Sequence, residues 1–384
     1  MSVGGARYQP RDGIIAGYVL KLARESAGLT QPALAEALDV DTGTLQSWES
    51  GRRSLAATSV RDFVRLRLCL LNLGVRPRLI DAIDDALSAD HILDHALDAG
   101  DADPAAHPLA GWLLPRVVSN MLGWPLTGVP PASLRGLSSL PRRRGPVPAG
   151  PTLTSDQRER FFANLRATAD RLRASPLVDH ERRALFVQQA YYRAGWDEGS
   201  ESRAWLYQAH GWHARASEAG FRWSADWLAS RSLVIALACH GDPEPLRHFV
   251  RTGHQSDQTE TANLNYWAYW VGELGERQRS QSFMPRADVL QRWRGGRLLG
   301  HLVERLPGCP PDVELNIHSL ATLLERPVPR HLLEHDAALA SSLRVSLDLL
   351  TSGSVPLSAH ARRELDRVAA RTPASTWNVV ETSR

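Results

Sequence analysis

Two pairs of residues combine types and spacings that chemistry uses. His91 and His95, in "HILDH", stand four apart, so on a helix both imidazoles share one face, an arrangement that can bind zinc. No third or fourth ligand follows at a zinc spacing, and the aspartates around them read as a solvated acidic face. Cys239 beside His240 pairs a nucleophile with a base only in the text, because adjacent helical residues point in different directions. The chain carries no Walker A loop, no glycine fingerprint after a strand, no G-x-S-x-G elbow and no H-E-x-x-H. No catalytic residue, metal or cofactor is expected, and the chain does not read as an enzyme.

A third stretch has a different chemistry. "GLTQPALAEALDVDTGTLQSWESGRR", residues 28 to 53, spells two short helices joined by a tight turn and followed by a glycine and two arginines. Thr30 is a good N-cap, and Pro32 falls in the first turn, where a missing N–H had no partner. Leu34, Ala35 and Leu38 form the apolar stripe of one helix; Asp41 caps the next, in which Leu45 and Trp48 share a side. A preceding helix holds Ile15, Val19 and Leu22 on one face and ends at Gly28, and a longer one covers about 59 to 73.

This segment resembles the XRE, or Cro and phage-repressor-like, family of helix-turn-helix domains. The matching residues are Arg24, "GLTQ" at 28 to 31, "LAEAL" at 34 to 38, Val40, Leu45, Trp48, Glu49 and Gly51. The resemblance implies double-stranded DNA as a partner. It implies that Gln31 touches a phosphate, that Thr42, Gly43, Thr44, Gln46 and Ser47 face the bases, and that Arg52 and Arg53 hold the flanking backbone. It also makes Arg24 and Glu49 a structural ion pair. The reading face is short: only Gln46 can make a two-point contact with adenine, and the threonines offer a hydroxyl and a methyl. Gly43, without a side chain, would let the backbone approach the groove closely.

The rest of the 384 residues must position this head. Residues 1 to 80 carry a balance of +4, and residues 81 to 103 hold eight aspartates and no Lys or Arg. The expected organisation is a helix-turn-helix domain at 1–75, acidic connecting helices at 76–122, a Pro/Gly/Arg-rich linker at 123–153, an all-helical domain at 154–372 and a flexible tail at 373–384. The fold class is all-α. "TSDQ" at 154 is a capping box, and further helices are expected at about 180–194, 201–219, 224–240 and 259–274. Gly195, Gly220 and Gly241 recur at intervals of 25 and 21, which suggests stacked helix pairs. The region 155–275 is similar to the tetratricopeptide-like domains that follow such heads in actinobacterial regulators, although the strict 34-residue consensus is absent.

Eight of the twelve tryptophans lie between residues 196 and 293. Most are expected in the core. The sharper expectation is a ligand groove at Asn263, Tyr266, Trp267, Trp270, Trp205 and Trp227 for a small molecule or peptide. With no apolar run of membrane-spanning length, no signal-peptide core and three scattered cysteines, a cytoplasmic setting without membrane contact is expected. Two function classes remain open. One is a homodimeric transcriptional regulator that reads a roughly palindromic operator. The other is a protein-interaction scaffold or anti-regulator with an auxiliary helix-turn-helix.

Overall fold

The computed structural model describes residues 13–98, 103–135, 149–175, 178–216, 223–353 and 355–373, with side chains 212–216 excepted. Every regular element among them is helical. Gly220, the Trp212 side chain, residues 136–148 of the expected linker and the expected tail beyond residue 373 lie outside the described residues. No helix of the described residues is long and apolar enough to cross a membrane.

The chain divides into two compact units, Met1–Asp179 and His180–Arg384. The first contains α1 (Ile14–Ser26), α2 (Gln31–Leu38), α3 (Thr42–Glu49), α4 (Val60–Asn72), α5 (Pro77–Leu97), α6 (Arg116–Thr127) and α7 (Ser155–Ala174). Local chemistry sets the head's boundaries. Thr30 accepts from the Ala33 N–H and Asp41 from the Thr44 N–H. Gly28 leaves α1 at φ +70°.

This unit runs past the expected boundary at 153/154. The acidic segment is one helix, α5, and its Ile80, Ile83, Ala86 and Ala89 are buried, with α5 packed on α1. The linker was expected to begin at residue 123, but α6 continues to Thr127 because Trp124 is buried there, edge-on to Tyr18. Helix α7 opens with the Thr154–Gln157 capping box, and Asn164 donates to the carbonyls of Ala96 and Leu97 at the end of α5 (2.9 and 3.3 Å). An end that α5 could not cap locally is thus satisfied by α7.

The second unit contains α8 (His180–Ala194), α9 (Ser200–Ala216), α10 (Ala225–Cys239), α11 (Glu244–Thr252), α12 (Asp257–Trp270), α13 (Ala287–Leu290), α14 (Gly296–Arg305), α15 (Val313–Leu323), α16 (Pro327–His335), α17 (Ala337–Thr351) and α18 (Ala359–Arg371). Two helices buried almost all round organise it. Helix α10 packs on α8, α9 and α11, and α15 packs on α11, α12, α14 and α18. Helix α11, nine residues long, has no counterpart in the sequence expectation.

Candidate nucleic-acid interface

The head is built around a buried ion pair. Arg24 Nε donates to Glu49 Oε1 at 2.5 Å and Nη2 to Oε2 at 3.0 Å, while Nη1 donates to the Leu29 carbonyl at 2.7 Å. Burial alone would lower the Arg24 pKa, but the bonds to Glu49 outweigh it and the net shift is upward. One guanidinium thus ties α1 to the end of α3 and to the entry of α2.

Two features that sequence patterning did not single out complete this joint. A Cβ on Gly17 would lie 2.1 Å from the Trp48 carbonyl oxygen, so only glycine lets α1 approach the last turn of α3 this closely. Asp90, buried on α5, accepts from the N–H groups of Ile15 (3.0 Å) and Ala16 (2.8 Å). A carboxylate at the start of α1 satisfies two end donors and complements the helix dipole. Gly13, at the N-cap itself, supplies no side chain.

The polar face of α3 is what this frame holds outward. Leu45, Trp48 and Glu49 are buried, Gly43 and Gln46 are exposed, and Thr42, Thr44 and Ser47 are partly exposed. Gln31 donates through Nε2 to Glu49 Oε2 at 2.8 Å, and Gln46 Nε2 reaches Gln31 Oε1 at 3.5 Å. An amide nitrogen has two hydrogens, so the bond to Glu49 fixes Gln31 and leaves one donor for a phosphate oxygen. Arg52 and Arg53 are exposed, and the Arg52 Nε–H donates to the Ser50 hydroxyl.

Gly43 sits in ordinary helical backbone, and its added Cβ would meet Asp41 Oδ2 at 2.8 Å. The missing side chain therefore leaves room for the carboxylate that caps α3. Asp39, which ends α2, adopts φ +53°, a left-handed conformation that aspartate tolerates better than most residues.

The other candidate residues fall elsewhere. His91 and His95 share a face with rings 4.5 Å apart, and His107 lies 6.0 Å from His95, but His107 Nδ1 already accepts from the Leu109 N–H. His240 Nε2 meets the Ala194 carbonyl oxygen at 3.0 Å, and no bond joins its ring to Cys239 among the described contacts.

The six groove residues are not gathered in one groove. Asn263 and the Trp267 indole both donate to the Ser319 hydroxyl at 3.0 Å, and both are buried. Trp227, also buried, donates to the Gly253 carbonyl, and Trp205 packs on Tyr191. Tyr266 stacks on Trp270, which alone of the six is partly exposed. Five of the six are buried, and the Asn263 amide and the Trp267 and Trp227 indoles donate within this unit. A surface depression in this unit is lined instead by residues such as Glu273, Glu276, Phe283 and Arg286.

Comparison with known proteins bears on the head alone. Residues 16–70 match the family model described as "Helix-turn-helix domain". No curated protein and no solved structure matches the chain. The match covers α1 to α4 almost entirely, so the chain carries a helix-turn-helix domain, which suggests DNA as a partner.

Proposed function

We propose that the chain is a sequence-specific transcriptional regulator of the XRE type, in which α3 enters the major groove and the second unit dimerises and takes an effector. The observation that carries this reading is the division of α3. One side is locked by Leu45, Trp48 and the Arg24–Glu49 pair, while Thr42, Gly43, Thr44, Gln46 and Ser47 remain accessible along the other. Arg52 and Arg53 are exposed, where they can neutralise phosphates and release counterions.

One α3 contacts too few base pairs to select a site, so two heads on a roughly palindromic operator, with half-sites about 34 Å apart, fit this reading. Besides the second unit, the heads have a surface of their own for pairing: Val60, Val64, Leu68 and Leu71 on α4 recur at helical spacing and are all exposed, Val60 by 82%. The tetratricopeptide-like character of the second unit rests on the packing of α8, α9, α10 and α11 as neighbouring helices. No catalytic role is assigned.

Gel shift of genomic fragments at about 150 mM salt, where phosphate contacts alone bind weakly, tests the reading. A site bound well above nonspecific DNA is expected. Arg52→Ala with Arg53→Ala should weaken binding to all sequences and reduce the salt slope by about 2. Gly43→Arg should alter site choice. Absence of any preferred site, or full function in the double arginine variant, would leave the scaffold reading in its place.

A further inference from the structure

The second unit brings together five side chains that the sequence keeps far apart. His254 lies in the turn before α12, Glu260 in the first turns of α12, His318 on α15, and His360 and Glu364 one turn apart on α18. Glu260 stands between two imidazoles. Its Oε1 is 2.8 Å from His318 Nε2 and its Oε2 is 3.8 Å from His254 Nδ1.

Beyond the bond of His318 to Glu260, hydrogen bonds within the described residues do not account for this arrangement. The His254 side chain is 1% exposed, and neither of its ring nitrogens has a hydrogen-bond partner among the described residues. Glu260 Oε2 and His318 Nδ1 are also buried without one. His254 is nonetheless held in place: its ring packs against Trp227, Phe249 and His318, and the Trp227 indole fixes the backbone just before it at Gly253. A group positioned this firmly with both polar atoms unused is prepared for a ligand.

We propose that His254, Glu260 and His318 form a binding site for one divalent transition-metal ion of the zinc class. Two imidazoles and a carboxylate are a donor set that such ions take, with a fourth position open. Ligand atoms about 2.1 Å from a tetrahedral ion lie about 3.4 Å from one another, and the 2.8 Å from Glu260 Oε1 to His318 and the 3.8 Å from its Oε2 to His254 fall on either side of that value. One donor atom from each of the three residues lies within 4.8 Å of the others. The ion replaces the proton between His318 and Glu260, which leaves to solvent. The quarter-exposed Glu260 side chain offers the way in.

The surroundings suit this role. Desolvation, together with His318, Arg231 and His360, keeps His254 neutral and able to coordinate. Bound through Nε2, His318 keeps its proton on Nδ1, which faces Glu364 Oε1 at 3.7 Å, in the way carboxylates orient metal-bound histidines. Glu364 is in turn held by Arg367 through both oxygens. The ion would clamp α12 to α15, with α18 behind them. This inference stands apart from the function of the head.

The test uses the full chain, stripped with EDTA, dialysed and titrated with Co²⁺ and Zn²⁺ in the absence of DNA. One Co²⁺ per chain is expected, with the intense visible bands of a four-coordinate site, displaced by Zn²⁺. His254→Gln or Glu260→Gln should weaken binding about 100-fold or more, Glu364→Gln about 10-fold through loss of the orienting contact, and His360→Gln very little. Far-UV circular dichroism checks that each variant is folded, and the partly exposed Glu260 keeps the test available if His254→Gln is not. No bound metal in the parent overturns the proposal. So does binding that survives His254→Gln and Glu260→Gln, or that is lost instead in His360→Gln or in His331→Gln at the exposed His331–Glu334–His335 group.

Discussion

Arg24 and Arg231 are both buried arginines, and their surroundings differ in one respect that separates the two units. In the head, Arg24 spends its donors on Glu49 and the Leu29 carbonyl. In the second unit, Arg231 lies over the rings of Tyr266 and Trp267, and its Nε and Nη2 atoms have no hydrogen-bond partner among the described residues. Burial lowers its pKa, whereas the pKa of Arg24 is raised. Arg193 repeats the pattern on α8, pushed down to about 10 by burial. An arginine whose donors are committed, as those of Arg24 are, fixes the joint it spans. A core that keeps unpaired donors and acceptors has room for a ligand to change its energy.

The same substitution at both sites tests that contrast. Arg24→Met leaves Glu49 buried without its cation and should cost about 3–5 kcal/mol in urea denaturation of the full chain. Restoring stability with Glu49→Leu in the same chain would identify the unpaired charge as the cause. A loss below about 1 kcal/mol would mean that the pair does not define the head.

Next in size is the close approach of α1 to α3. Gly17→Ala drives a methyl group against the Trp48 carbonyl oxygen and should cost about 3 kcal/mol, with weaker DNA binding because α3 is displaced. Unchanged melting would show that the helices can separate freely.

Arg231→Met should come out within about 1 kcal/mol of the parent, because relief of an incompletely bonded buried cation offsets the lost ring contacts. A loss of Arg24 size would reveal a firm partner and remove the contrast between the units. The smallest effect is expected at Asp39. Replacement by glycine at φ +53° should raise stability by about 0.5 kcal/mol, since glycine carries no left-handed penalty, and a loss of stability would show that the aspartate side chain supports the turn.

The sequence made much of the head legible because its signals are local. Thr30 and Asp41 cap helices within three residues of themselves, and Leu45 and Trp48 lie on one face by helical spacing alone. The Arg24–Glu49 pair, 25 residues apart, came only through resemblance to a family. The reading face came by the same route, and to it the structure adds that a Cβ on Gly43 would meet the capping carboxylate of Asp41. Nothing local marked Asp90 or Asn164, whose partners lie 75 and 68 residues away. Aspartates along α5 suggested a solvated connector, yet its apolar face is part of the core that carries α1. The tryptophan-rich helix α12 suggested a groove, and in the structure its Asn263 and Trp267 are buried and donate to Ser319 on α15.

By itself the sequence determined the all-helical class, the cap and turn of the helix-turn-helix and the face that α3 shows to solvent, because caps and periodicity act over three or four residues. Only the tertiary structure decided that α5 and α7 belong to the first unit. Only it set Glu260 against His318 across 58 residues of chain and left His254 beside them with two unused nitrogens. Contacts of that range follow from how whole helices pack, which spacing along the chain does not encode.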